Sequence, residues 1–107
     1  MDYIDLDIAM RYMMNNYTIF LKVRESFLNN YKTFNEEYNK LITEKDLDNL
    51  EMTIHSLKGI SLNIGAQLLY DSACDALDEL RKKLFDYKTL ADFQITFNNT
   101  YSALARL

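Results

Sequence analysis

DLDNLEMTIHSLKGISLNIGA, residues 46–66, decides how this chain folds. Leu47, Leu50, Ile54, Leu57 and Ile64, with small Ser61 in the remaining slot, recur at 3-4-3-4-3 spacing. That spacing lays one stripe along one face of an α-helix. Asp46 is placed to cap the helix start, and Gly65 to mark its end. The stretch also holds the one histidine of the chain, His55, and both of its glycines, Gly59 and Gly65. A glycine inside an exposed helix costs about 1 kcal/mol relative to alanine, so Gly59 calls for a reason.

The same periodicity extends outward. Leu6, Met10 and Met13 predict a short helix over roughly 4–14. Asn15 and Asn16 punctuate it, since asparagine tolerates a left-handed helix end and caps a following helix well. Phe20, Val23 and Phe27 predict a second helix from about 17, bent at Asn29 and Asn30, resuming with Tyr31, Phe34, Tyr38 and Leu41 to about 43. Downstream, Leu69, Ala73, Ala76 and Leu80 stripe a helix over roughly 67–85. Thr89, with Asp92 three residues on, reads as a weak capping box opening the last helix. Its stripe is Leu90, Phe93, Phe97, Tyr101 and Leu104. No segment alternates as a strand would.

A chain of 107 residues with no proline and two glycines has little turn chemistry and long helices. The expected fold is all-α: an antiparallel up-and-down four-helix bundle over residues 1–107, one domain, with a short extra N-terminal helix as a lid on one end. The net charge is −4 and the charges are mixed, so no basic stripe tracks a phosphate backbone and nucleic acid is not expected as a partner. No apolar run is long enough to span a bilayer, and no membrane contact is expected. Asp2, Asp5 and Asp7 leave the N-terminus without a signal-peptide pattern. Cys74 stands alone, so an internal disulfide is excluded; it reads as a small core or boundary residue. A cytoplasmic monomer is expected.

Helical residues advance by about 100°. With His55 at zero, the stripe centres about 140° away, which places the imidazole on the outer face. Asp48, Glu51 and Met52 neighbour it below; Lys58, Gly59 and Leu62 neighbour it above. Gly59 faces away from the stripe, so close helix packing inside the bundle does not explain it. Approach by something outside does, because a residue without Cβ leaves clearance. Met52 and Leu62 add apolar area to the same face and, with Glu51, suggest a docking rim around a nucleophile. Each feature has a bland reading: a surface histidine, a solvated lysine, a tolerated glycine. Their coincidence at one spot favours function.

At these residues the chain resembles the histidine-containing phosphotransfer (HPt) domains of bacterial multistep phosphorelays. The motif reads His55, Ser56, Leu57, Lys58, Gly59, then Ile60 to Ile64, then Gly65 and Ala66. Asp46, Leu47 and Asn16, ahead of the helix with Phe27, fall where the family has them, so the resemblance covers nearly the whole chain. Ile60 and Leu62 are bulkier than the family's usual residues after the glycine. Ala76 and Leu77 stand where many members end a stripe in leucine and glutamate. The partner that orients the imidazole is therefore unassigned, with Gln67 as a candidate.

The resemblance implies a two-component signalling role. His55 would accept a phosphoryl group from an aspartyl phosphate of a response-regulator receiver domain and pass it to another receiver. Lys58 would stabilise phosphoryl charge and Gly59 would give the partner clearance. Implied partners are receiver domains and a hybrid sensor histidine kinase, whose membrane-anchored form could carry this chain as a cytosolic part. No cofactor is expected in this chain; Mg²⁺ is expected in the partner receiver. Two glycines build neither a GxxxxGK[ST] loop nor another Gly-rich nucleotide clamp, so autonomous kinase activity is not expected. A dimerising histidine domain of a sensor kinase would carry an acidic residue after the histidine and a proline nearby; Ser56 and the absence of proline argue against it. One histidine and one cysteine on different helices offer no metal-ligand spacing. The alternative of another class is a non-catalytic helical module that docks a receiver domain or kinase without turnover.

Overall fold

Side chains cap the starts of four of the six α-helices among the described residues. The computed structural model describes residues 2–107. Asp5 opens α1 (Leu6–Tyr12) by accepting the Asp7 and Ile8 N–H groups at 2.9 and 3.3 Å. Asn16 opens α2 (Tyr17–Asn30) by accepting from Ile19 N–H at 3.1 Å. Asp46 opens α4 (Leu47–Ser61) through Asn49 N–H at 3.2 Å. Each cap satisfies a donor that the first helical turn leaves unpaired.

The expected second helix is broken in two. Residues 31–33 form a turn between α2 and α3 (Phe34–Glu44). The α-helical part of α4 also stops before Gly65, and a 3-10 turn, Leu62–Ile64, completes the last step. Next, α5 (Gln67–Arg81) ends short of the expected residue 85. Finally, α6 (Tyr87–Ala105) starts before Thr89. Its cap is Asp86, which accepts from Lys88 N–H at 2.9 Å and from the Thr89 hydroxyl at 3.1 Å. The Thr89 hydroxyl and backbone bonds hold the Asp86 carboxyl below its ordinary range. Asp92, read as the capping-box partner of Thr89, instead binds Lys88 Nζ at 3.0 Å.

Left-handed closures explain why α5 ends where it does. Lys83 has φ 57°, its N–H donates to Leu80 O at 2.9 Å, and Leu84 N–H donates to Glu79 O at 3.0 Å. This is a Schellman closure. The same pair of bonds recurs at Lys45 (φ 51°) after α3 and at Gly65 (φ 75°) after the 3-10 turn. Lysine in a left-handed position carries a steric cost that glycine escapes, offset in part by the greater freedom of glycine in the unfolded chain. Lys83→Gly is therefore expected to stabilise the fold by about 0.5–1 kcal/mol. Urea denaturation checks this: the midpoint should rise with an unchanged slope, and a lower midpoint would contradict a left-handed Lys83.

Specific pairs set helix directions. Glu51 Oε1 meets Arg81 Nε at 3.4 Å, while the Lys58 ammonium lies 5.7 Å from the Tyr70 ring centre. Residue numbers rise on α4 as they fall on α5, so these two helices run in opposite directions. Tyr101 donates to Leu28 O at 2.7 Å, and Arg24 Nε and Nη2 donate to Leu104 O and Ala105 O at 2.8 and 2.9 Å. Asn35 and Asn39 meet Asn98 and Gln94 at 2.8 and 3.0 Å. Together α2 and α3 run opposite to α6. Arg24 thereby adds a second donor to Leu104 O, which also accepts from Leu107 N–H at 3.2 Å, and gives a donor to Ala105 O at the end of α6.

The core is aromatic at its centre. Phe97 is buried with its ring centre 4.0 Å from Phe34, and Phe27, Tyr31 and Tyr101 surround it. Tyr38 is buried beside Phe93 and donates its hydroxyl to Leu90 O at 2.8 Å; burial raises its pKa far above the ordinary phenol value. The stripe read from residues 46–66 is buried as expected at Leu50, Ile54, Leu57, Ser61 and Ile64. The radius of gyration is 13.8 Å, close to the roughly 13 Å of a folded chain this long. Among the described residues no helix is long and apolar enough to cross a membrane.

The extra N-terminal helix, α1, packs on the 3-10 turn that follows α4. Its anchor is backbone to backbone: Asp5 N–H donates to Gly65 O at 2.8 Å. A Cβ at Gly65 would collide with the Asp5 carbonyl. Gly65 therefore has two duties, closing the histidine helix and admitting the chain that crosses it.

Candidate functional site

The outer face of α4 emerges as the spacing predicts. His55 is exposed, Ile54 and Leu57 on either side of it are buried, and the imidazole points away from the core. Met52 is 66% exposed, a large unpartnered thioether one turn below. Ser56 lines the same side of His55, with its hydroxyl proton committed to Met52 O at 3.0 Å. Gly59 is exposed, and a Cβ built there would meet nothing within 4 Å. The glycine is thus not required by packing within this chain.

The sequence-predicted residues divide between two shallow hollows that share His55. One, about 210 Å³, brings His55, Lys58, Gly59 and Leu62 together. The other, about 290 Å³, brings His55 together with Met52 and Glu51, and adds Asp48. Both fall below the roughly 300–1,000 Å³ of small-molecule pockets, which suits a small group better than a nucleotide. Met52 and Leu62 therefore lie on opposite flanks of the imidazole rather than in one patch. Leu62 is also half-buried and sits on the 3-10 turn, off the α4 track used to place it. Glu51 keeps its place on the rim, tied to Arg81 of α5.

Residues from other elements complete the first hollow. Tyr12 enters from α1, Asn63 from the 3-10 turn and Tyr70 from α5. Lys58 reaches over the Tyr70 ring, a cation–π contact that holds the ammonium on this flank. Asn63 lies eight residues after His55 and is visible to an angular reading that allows for the tightened last turn. Tyr12 gives no local signal, because only the crossing at Gly65 brings α1 here. Gln67, the candidate for orienting the imidazole, donates its amide to Asp71 Oδ1 at 2.9 Å instead. It lines an adjoining hollow of about 430 Å³ with Ile8, Arg11, Tyr12 and Leu62.

Cys74 is half-buried, which fits the boundary role read for it. Among the described residues no group of three or more histidine, cysteine, aspartate or glutamate side chains is placed to hold a metal ion. Chemically, the arrangement offers an accessible imidazole with a cation and several hydrogen-bond donors on one flank and carboxylates on the other. No family model, curated protein or solved structure matches this chain.

Proposed function

We propose that this chain is a phosphohistidine carrier of the HPt kind, working in a two-component phosphorelay. The observation that carries the reading is the open face around His55. The imidazole stands free beside Lys58, and the one helical glycine next to it clears space that nothing in the chain itself uses. We also take the fold to be an antiparallel up-and-down four-helix bundle, with α2 and α3 as one interrupted column. The opposed pairings of α4 with α5 and of α2–α3 with α6 support it.

In the proposed step a lone pair of neutral imidazole nitrogen forms an N–P bond. The aspartyl O–P bond of the donor breaks, and its electrons leave with the receiver carboxylate. The other ring nitrogen keeps its proton, so the phosphohistidine forms as an imidazolium and no oxidation state changes. Phosphoryl transfer asks for in-line positioning and charge stabilisation more than for covalent chemistry. Lys58 supplies a positive charge near the phosphoryl oxygens. The receiver domain supplies Mg²⁺, so each protein carries half of the active site. Receiver domains and a hybrid sensor histidine kinase are the proposed partners.

Receiver domains charged with radiolabelled acetyl phosphate test the reading. Label should move to this chain, be lost in acid and survive alkali. Binding of a receiver with no label transferred would instead favour a docking module without turnover. Gly59→Leu separates clearance from helix strength. It should raise stability by about 0.5–1 kcal/mol, since leucine is the better helix former, while it blocks transfer from the receiver. Unchanged transfer would mean that the glycine is not there for clearance.

A further inference from the structure

The two flanks of His55 differ in charge, and that difference selects where a phosphoryl group would lie. The Met52 flank is lined by the carboxylates of Asp48 and Glu51. The opposite flank carries no carboxylate; its polar groups are the Lys58 ammonium, the Asn63 amide and the phenols of Tyr12 and Tyr70. An anion of charge near −2 is repelled by the first and can be hydrogen-bonded on the second. Tyr70 sits under the Lys58 ammonium. Tyr12 and Asn63 bring donors from two further elements, α1 and the 3-10 turn.

We propose that the phosphoryl group carried by His55 turns toward α1, where Tyr12 and Asn63 donate hydrogen bonds to its oxygens beside Lys58. This rests on the phosphohistidine reading and names the subsite within it. The α1 helix is then part of the phosphoryl site, and the Asp5–Gly65 crossing is what positions the Tyr12 phenol there. Tyr12 is 52% exposed, so its hydroxyl has freedom to meet a newly formed anion.

Phosphoramidate is the suitable probe, because it needs no protein docking. Imidazole nitrogen forms the N–P bond, the P–N bond of phosphoramidate breaks, and ammonia leaves. The full chain, Tyr12→Phe, Asn63→Ala and the distant matched control Tyr87→Phe are compared by rate of labelling and by the phosphorus NMR position of the phosphohistidine. Tyr12→Phe and Asn63→Ala should each slow labelling about tenfold, the size of a lost hydrogen bond to a charged group, and should move the phosphorus resonance. Tyr87→Phe should change neither. The resonance matters because a merely structural role would leave it in place. If the wild-type chain labels and both variants match it in rate and resonance, the subsite is wrong and the carrier reading stands. If the wild-type chain takes no label from phosphoramidate or from any charged receiver, both fall together.

Discussion

His55→Gln is expected to abolish phosphoryl acceptance from a charged receiver while leaving the fold intact. Glutamine is polar, forms helices well and occupies an exposed position, so stability should stay within about 0.5 kcal/mol of wild type. Its amide nitrogen has no free lone pair to attack phosphorus, so the loss is of chemistry and not of shape. Helicity and the thermal midpoint report the first half of the expectation; acid-labile label reports the second. Label that persists in the variant would place the acceptor elsewhere and end the carrier reading.

Phe97→Ala should produce the largest loss of stability, about 3–5 kcal/mol, because truncating a buried phenylalanine removes transfer energy and leaves a cavity. Phe97 is 1% exposed and lies within the ring cluster of Phe27, Tyr31, Phe34 and Tyr101. Those rings join α2, α3 and α6, so the cavity cannot close by moving one helix alone. A domain of this kind has about 5–15 kcal/mol in total, so the variant should be close to unfolding at moderate temperature. Ile95→Ala, two residues away on the same helix but 57% exposed, should change stability by less than about 0.5 kcal/mol. Equal effects from the two would contradict the burial pattern of α6.

Much of this was legible in the sequence where one helix governs the outcome. The 46–66 stripe, the caps at Asp46 and Asn16, and the outward direction of His55 all follow from local periodicity and short-range hydrogen bonds. The end of α5 was not legible, because a lysine fills the left-handed position that glycine normally announces. The start of α6 was misread for a related reason: Asp86 and Thr89 are both capping residues, and only the structure shows that the second serves the first. Tyr12 was missed because its approach to His55 depends on a chain crossing between residues sixty positions apart. The charge difference between the two flanks of the imidazole was legible, since Asp48, Glu51 and Lys58 all lie on α4; the phenols of Tyr12 and Tyr70 were not, because they arrive by the crossing and the helix pairing, neither of which periodicity contains.

The joint between Asp5 and Gly65 predisposes the chain to a lopsided pattern of tolerance. At residue 5 the joint itself uses backbone atoms alone, so other good caps such as serine or asparagine can replace the aspartate at small cost. At residue 65 the positive φ and the oncoming carbonyl leave room for hydrogen only. A saturation library would therefore show a permissive column beside a nearly empty one, although the two residues share a single hydrogen bond. Variation at the start of α1 can accumulate on the permissive side without disturbing the closure of the histidine helix.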